Sequence, residues 1–533
     1  LLVLETPRLR ERLRNLPLLV ALLHAVNPMA VESVAYLSSR AGLLATLFFL
    51  VACYFLVRLL NARDRGRGAA GTVHFAALIA GFFFLGCASK EIIATMPIMG
   101  ALFLWMRHPA RVKANLLGVS LVLLPLAIYM GYRGFALGNP FALGGHAQPD
   151  MDTALYFFTQ IGVIVFYYGL KLFLPVSLNF EPDAKMVSGF ADPTCLAAVG
   201  VLLLAGWFLR YQESRLMRFA AIWALVTVLP ASSFIPLKQL ATEHRTYLPG
   251  LGVNICVAIL FLSQGRWTRW AKRMALCLVL LMALLAADRG LDYRTNVALW
   301  RDTAGKSPGK ALTHNNLANA LADAKLYDEA RKELETALRL SPNYISAHIN
   351  LGDIHFQQGR YREAQDLFDR ILFFDAGDAK NHYNSGMVRL RRNKPEQALP
   401  YLQKAAAMAP ETPLFHFALG NAYKALKRYD PALNEYRLVL KYQPEHLKAH
   451  NNIGAIFWEL KSFGLAEAQF KKVIAIQEDY ALAHQNLAMI YMLLGKFQQA
   501  ITHLDRYIEL VPDDESAGDL RRVAATLMKQ KTP

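Results

Sequence analysis

Apolar and polar positions divide this chain in two. Before Asp288 the sequence runs in long apolar stretches broken by short basic loops; after it, charged residues recur every few positions and no apolar run is long enough to span a bilayer. A spanning helix needs about 20 apolar residues. Ten segments are candidates, several of them short: 16–26, 41–60, 73–88, 92–106, 116–132, 154–174, 194–209, 219–237, 247–262 and 271–287.

Beyond the break the pattern takes a 34-residue period. Ala330, Ala364, Ala398, Ala432, Ala466 and Ala500 form one column, and Leu317, Leu351, Ser385, Leu419, Ile453 and Leu487 a second. Small residues form a third: Ala318, Gly352, Gly386, Gly420, Gly454 and Ala488. Aromatic residues open the second helices at Tyr327, Tyr361, Tyr429, Phe463 and Phe497, with Pro395 in that slot of the third repeat. Pro308, Pro342, Pro410, Pro444 and Pro512 close the units. This is the tetratricopeptide (TPR) pattern, in which a helical hairpin buries its apolar face only by stacking on its neighbours. The expected fold is all-α, a polytopic transmembrane helix bundle followed by an α-solenoid of six TPR repeats. The expected divisions are a membrane domain over 1–288, a connector and partial repeat over 289–309, the repeats over 310–513 and a capping helix over 514–533. A polar column at Asn316, Asn350, Asn384, Asn452 and Asn486, interrupted by Ala418, is expected to face the groove. Primary amides both donate and accept, so this ladder suits the backbone of an extended protein or peptide partner.

Composition changes the picture little. Hydrophobic residues make up 54% of the 533, against about 45–50% in soluble domains. The net charge of +17 fits nucleic-acid binding in principle. Here many Lys and Arg lie in short loops between apolar runs, the positive-inside pattern, so the expected partner is the lipid bilayer and no nucleic acid. The five cysteines lie in or beside apolar segments without metal-ligand spacing, and no metal is expected. The chain opens on Leu1 and a basic stretch without a signal peptide, so further N-terminal sequence is expected.

Orientation follows from five basic clusters: Arg8–Arg14, Arg58–Arg67, Arg107–Lys113, Arg210–Arg218 and Arg266–Arg273. If every candidate crosses, parity fails between the third and fourth of these. The 154–174 segment is the odd one: Tyr156, Gln160, Tyr167 and Lys171 fall within about 60° of one another at the helical 100° per residue. It is expected to lie in the membrane interface. Leaving it out of the count places all five clusters in the cytoplasm. The repeats then lie on the other side, in the periplasm from a bacterial inner membrane or in the lumen of the endoplasmic reticulum. The same topology gathers polar residues of the 32–40, 90–91, 139–152, 179–183 and 243–245 stretches on the repeat side. Ionisable residues at membrane depth are expensive and commonly mark a site.

Candidate chemistry lies in those stretches. Lys90-Glu91 interrupts two apolar runs with almost no loop, and the pair either breaks the helix structurally or holds an anionic head group and a hydroxyl. Glu243-His244-Arg245-Thr246-Tyr247 opens an apolar run, and Arg245 and Arg40 can each grip a phosphate bidentately. No nucleotide-binding loop, nucleophile elbow or HExxH motif occurs.

These motifs resemble a known family. His24-Ala25-Val26-Asn27-Pro28, Glu32-Ser33-Val34-Ala35-Tyr36 and Ser39-Arg40-Ala41 are similar to the "HPVHTEAVAWVSGRADLLA" stretch of the transmembrane and TPR-containing O-mannosyltransferases and their bacterial relatives. Ser89-Lys90-Glu91 resembles their "LSKE" break, and residues 243–249 their "ERRLYLPS" segment, with TPR repeats following in both. The resemblance implies a GT-C glycosyltransferase that moves a sugar from a polyprenyl-phosphate carrier to a protein acceptor on the non-cytoplasmic side. It implies Glu91 and Glu32 as catalytic or positioning carboxylates, and Arg40, Lys90, Glu243, His244, Arg245 and Tyr247 as substrate-binding residues. The sequence departs from the family at Asn27, where a His is expected, and at Gly42, where an Asp is expected. The catalytic Asp usual in the first external loop would precede the stretch present here. The alternative is a non-catalytic membrane-anchored TPR scaffold for envelope or complex assembly.

Overall fold

A computed structural model describes residues 13–30, 40–64, 70–89, 95–107, 152–183, 186–228, 240–262 and 268–531, with Pro7 and Glu11. Among these residues every regular element is helical. The chain divides into two compact units, Leu1–Ala324 and Lys325–Pro533.

The first unit holds α1 (Leu16–Ala25), α2 (Arg40–Asp64), α3 (Ala70–Ser89), α4 (Met96–Arg107), α5 (Thr153–Phe173), α6 (Pro193–Tyr211), α7 (Arg215–Val228), α8 (Tyr247–Leu262) and α9 (Thr268–Asp292). Two shorter helices follow, α10 (Asn296–Lys306) and α11 (Ala311–Asp323). The apolar runs thus form helices where they are described; the predicted 116–132 span lies outside the described residues. Local chemistry sets several starts. Asp152 accepts from the amides of Ala154 and Leu155 to open α5, Asp192 caps α6 ahead of Pro193, and Thr295 caps α10. Among the described residues, four helices can cross a membrane by length and composition: the 44–62 stretch of α2, α5, α6 and the 269–292 stretch of α9. Leu203, Leu204, Trp207 and Phe208 on α6, and Leu276, Leu280 and Leu284 on α9, lie exposed, as hydrocarbon-facing side chains do.

The bundle has two unlike ends. At one, Leu13 and Leu16 pack with Leu216, Met217 and Ile259, and Arg215 donates to the Met106 carbonyl at 3.4 Å. Arg58 lies over the Phe75 ring. Of the basic clusters, the described Arg14 and Arg215 therefore lie at this end. At the other end α1 finishes against the start of α8, and the 3₁₀ turn Pro28–Ala30 packs on the turn Glu243–Thr246 and on α9. α1 and α8 consequently run in opposite directions.

α5 differs from its expected setting in one respect. Its polar side was expected to meet water, but Tyr156 is fully buried and Gln160 is 1% exposed. The exposed side is apolar, with Phe166, Leu170, Phe173 and Leu174. The polar face points inward because protein partners wait there. Gln160 donates to the Leu240 carbonyl at 2.9 Å, and the Tyr168 hydroxyl accepts from the Thr242 amide at 3.0 Å. Residues along the whole of α5 touch the segment that follows it, from Phe158 against Phe190 and Thr159 against the Val187 amide to Tyr167 against the Asn179 carbonyl.

That segment is a strap stitched through its carbonyls. Lys171 donates to those of Val176 and Ser177, Lys306 to Leu178, Tyr167 to Asn179, the Ser307 hydroxyl to Glu181 and Lys310 to Pro182. Asn179 adds a 2.7 Å bond to the Ser307 hydroxyl, and Phe180 meets the Trp300 ring edge-on. Irregular backbone is tolerated near a membrane only where such partners satisfy it. Arg289, at the end of α9, is 4% exposed and pairs with Asp292 at 2.8 Å and Asp302 at 3.0 Å, joining α9 to α10.

The second unit contains α12 (Tyr327–Leu340), α13 (Ile345–Gln357), α14 (Tyr361–Phe374), α15 (Ala379–Arg391), α16 (Pro395–Met408) and α17 (Pro413–Ala425). It continues with α18 (Tyr429–Tyr442), α19 (Leu447–Glu459), α20 (Phe463–Ile476), α21 (Ala481–Leu493), α22 (Phe497–Leu510) and α23 (Glu515–Lys531). The alanine column from Ala330 to Ala500 is fully buried. The glycine column explains itself sterically: a Cβ on Gly352, Gly420 or Gly454 would sit 2.7–2.8 Å from the ring of Phe368, Tyr436 or Phe470. Each first helix turns into its second through one left-handed residue, at Lys325, Gly359, Asn393, Lys427, Lys461 and Gly495. That column also repeats every 34 residues.

Candidate active site

The site is built from helix ends. α1 finishes at His24 and Ala25, and the Asn27 side chain then accepts from the Met29 amide at 2.9 Å, folding the chain back under Met29, which is buried. His24 lies against Tyr247 with ring centroids 4.7 Å apart, and its Nδ1 is 3.3 Å from the Asn254 amide nitrogen on α8. An amide that donates to Nδ1 leaves the ring proton on Nε2. Among the described residues His24 Nε2 has no hydrogen-bond partner although the atom is buried.

The segment before α8 and the first turn of α8 are fixed from two helices. Gln160 and Tyr168 of α5 hold Leu240 and Thr242, and the Trp223 indole of α7 donates to the Leu248 carbonyl at 3.0 Å. Arg245 lies between these anchors, 7% exposed, with Nη1 3.4 Å from the Leu240 carbonyl. A guanidinium keeps its charge when buried and presents a planar fork suited to phosphate. Of the sequence-predicted residues, Tyr247 meets His24, which Asn254 holds, and the turn that carries Arg245 packs on the Pro28–Ala30 turn that follows His24. Asn254 had no visible signal in the sequence beyond being an amide within an apolar run. Glu32, Lys90 and Glu91 lie outside the described residues, as do the side chains of Arg40, Glu243 and His244.

The asparagine column has mixed surroundings. Asn316 accepts from Asn315 at 3.4 Å, Asn350 is half-buried, and Asn384 is buried with its amide nitrogen unpartnered among the described residues. Asn452 is engaged within the protein: its Oδ1 accepts from Lys424 at 2.9 Å, and its Nδ2 donates to Asn421 and Tyr436. Asn486 donates to Asn451 at 3.4 Å. Nearby in the repeats, burial lifts the Asp353 carboxyl to about 6, opposed by Lys380.

A column of histidines is the more regular feature. His314, His348, His382, His416, His450 and His484 each place Nε2 within 2.8–3.1 Å of the carbonyl six residues earlier. They staple the first helix of a repeat to the turn before it. The 34-residue spacing was visible in the sequence; the carbonyl each one meets was not. In the last repeat His484 Nδ1 lies 3.0 Å from His503 Nδ1. Burial and the neighbouring His484, with Lys471 near and Glu467 opposing, hold His503 down to about 4. An unfolded His titrates near 6.5, so the folded state favours the neutral ring. Its stabilising contribution is complete above pH 6.5 and is lost as the pH falls from there to about 4. The melting temperature of the repeats should fall across that window, and His503→Gln should flatten the fall. An unchanged slope in the variant would show that His503 does not carry it.

Fold and site together define a class: a polytopic membrane helix bundle, with polar groups gathered at one end, joined to TPR repeats. Models of the tetratricopeptide repeat match residues 309–372, 383–439, 419–481 and 457–523. The chain is 25% identical over 343 residues to the protein O-mannosyl-transferase F38B6.6 of Caenorhabditis elegans, covering 62% of this chain and 46% of that protein. It is 22% identical over 456 residues to the protein O-mannosyl-transferase TMTC3 of Mus musculus, covering 74% and 48%. The chain thus fits the TPR-containing O-mannosyltransferase-like family, and it spans just under half the length of these two curated relatives. Among solved structures it is similar to the TPR protein YrrB, at 26% identity over 34% of this chain and 95% of that one, with a TM-score of 0.31. MamA from Desulfovibrio magneticus matches at 22% identity over 32% and 96%, with a TM-score of 0.31.

Proposed function

We propose that this chain is a membrane glycosyltransferase that transfers a sugar from a polyprenyl-phosphate carrier to a protein acceptor, with the repeats binding the acceptor or a partner protein. The observation that carries the reading is the buried Arg245, in a turn that packs on Pro28–Ala30 at the end of the bundle where His24 meets Tyr247, opposite Arg14 and Arg215. In this reading that end is non-cytoplasmic, periplasmic or lumenal, because basic loops favour the cytoplasm. The strap supports one shared compartment for site and repeats, since it joins the end of α5 to the connector at Lys306–Lys310. The proposed divisions are a membrane domain over 1–288, a connector over 289–309, six repeats over 310–513 and a capping helix over 514–533.

The chemistry follows from the side chains. A carboxylate, Glu91 or Glu32, takes the proton of the acceptor hydroxyl. Arg245, with Lys90 and Arg40, stabilises the phosphate as the sugar leaves. Glu243, His244 and Tyr247 line the sugar and lipid head, and the asparagines Asn316 to Asn486 hold the acceptor backbone. The test is sugar transfer from a synthetic polyprenyl-phosphate sugar to a peptide library by membranes containing the full-length protein. Transfer that depends on the carrier and collapses in Glu91→Gln supports the reading. Absence of transfer from every carrier sugar, with a correctly folded protein, leaves the scaffold alternative in its place.

A further inference from the structure

We propose that a cavity beside α5, separate from the site around Arg245, binds the phosphate-bearing head of a membrane lipid. The cavity has a volume of about 490 Å³ and lies among α5, the strap, the start of α6 and Lys306. Its inner wall is unusual: Val163–Gly169 of α5 is a seven-residue π-helical turn. Such turns are rare and concentrate at functional sites, because they widen a helix at the expense of its packing. Gly162, just before the turn, faces the start of α6: a Cβ there would lie 3.4 Å from the Thr194 methyl, in ordinary contact. The opposite wall is the strap, whose carbonyls are held by side chains, so the space is formed before any ligand arrives.

The lining groups define the ligand. Lys171 and Lys306 face the cavity from its two sides, against a single carboxylate, Asp183, which is exposed at the rim. Of the lining groups two are cations and one an anion, and Lys306 is also paired with Asp302, which it shares with Arg289. Lys306 donates to the Leu178 carbonyl and to Asp302, two of the three hydrogens of its ammonium. Ser177, Thr194 and Tyr167 add hydroxyls. A phosphate, with several acceptor oxygens, matches lysines and hydroxyls together. The mouth is apolar: Phe166 lines the cavity and continues into Leu170, Phe173 and Leu174 on the exposed face of α5. Leu170 and Phe173 lie four and seven positions after Phe166, on one side of the helix. A hydrocarbon chain attached to the phosphate can lie along that face, which separates a lipid from a free phosphate. The inference rests on the membrane setting of the bundle and not on sugar transfer.

Binding to the full-length protein in detergent, measured by native mass spectrometry, tests it with three probes: a short polyprenyl phosphate, phosphatidylglycerol and inorganic phosphate. One or both lipids should be retained and inorganic phosphate should not. Thr194→Trp fills the cavity without touching either lysine and should weaken retention roughly tenfold or more, the loss of one charge-assisted contact. Asp183→Asn removes the opposing charge and should tighten it. Retention unchanged in Thr194→Trp places the lipid elsewhere. Weaker retention in Asp183→Asn means that the head is read through its hydroxyls and overturns the phosphate assignment. Inorganic phosphate retained as well as the lipids overturns the lipid assignment.

Discussion

Replacing Gly252 with leucine is expected to prevent α7 and α8 from docking and to lose most of the folded protein. At Gly252 the helices meet so closely that a Cβ would sit 2.5 Å from the Ala220 carbonyl oxygen, 2.9 Å from the Ala224 amide and 3.0 Å from the Trp223 ring. The first two are backbone atoms of α7 and cannot rotate away. Small residues allow such close approach between helices in a membrane, where packing contacts drive association. Overpacking by methylenes alone costs about 1–3 kcal/mol, and a leucine against rigid backbone exceeds that. The damage reaches the site as well, because Trp223 anchors the Leu248 carbonyl just beyond Arg245. Thermal unfolding in detergent measures the effect, with Gly252→Ala as the intermediate case. A leucine variant that melts with the parent would mean that this contact does not hold the bundle together.

The second large effect belongs to Arg245. Arg245→Ala should reduce carrier-dependent transfer roughly 10²- to 10³-fold, the usual effect of removing one preorganised donor from a developing anion. Arg245→Lys should recover little of it. A lysine keeps the charge but loses the planar fork, and its longer-range flexibility does not reproduce a guanidinium fixed within a buried segment. The loss should fall on kcat more than on KM if the contact strengthens as the phosphate leaves. Wild-type transfer by the alanine variant would exclude Arg245 from the reaction. A matching loss in melting temperature would instead make it a structural residue.

Much of the architecture was written in periodicity. Apolar runs marked the membrane helices from Leu16 to Asp292, and the 34-residue columns marked every repeat, because burial against lipid or against the next hairpin demands the same residue type at each turn. Short polar side chains cap the helix starts at Asp152, Asp192 and Thr295, a detail that the periodicity does not mark. The polar side of α5 was visible, but its direction was not. Water and a buried carbonyl or amide satisfy Gln160 and Tyr168 alike, and nothing local distinguishes them.

The candidate site shows the same boundary. Arg245 and Tyr247 stood out as charge and aromatic at the mouth of an apolar run, whereas Asn254 came into view only when α8 was laid against α1, 230 residues away from its partner His24. The strap depends still more on tertiary structure, since Lys171, Lys306 and Lys310 are ordinary surface residues until they converge on the carbonyls between Val176 and Pro182. The sequence by itself determined where the apolar helices end and the stacked repeats begin, because hydropathy and helical period are summed over neighbouring residues. Only the tertiary structure decided which distant polar groups satisfy one another, because a hydrogen bond depends on the position of both partners and the sequence states only their kinds.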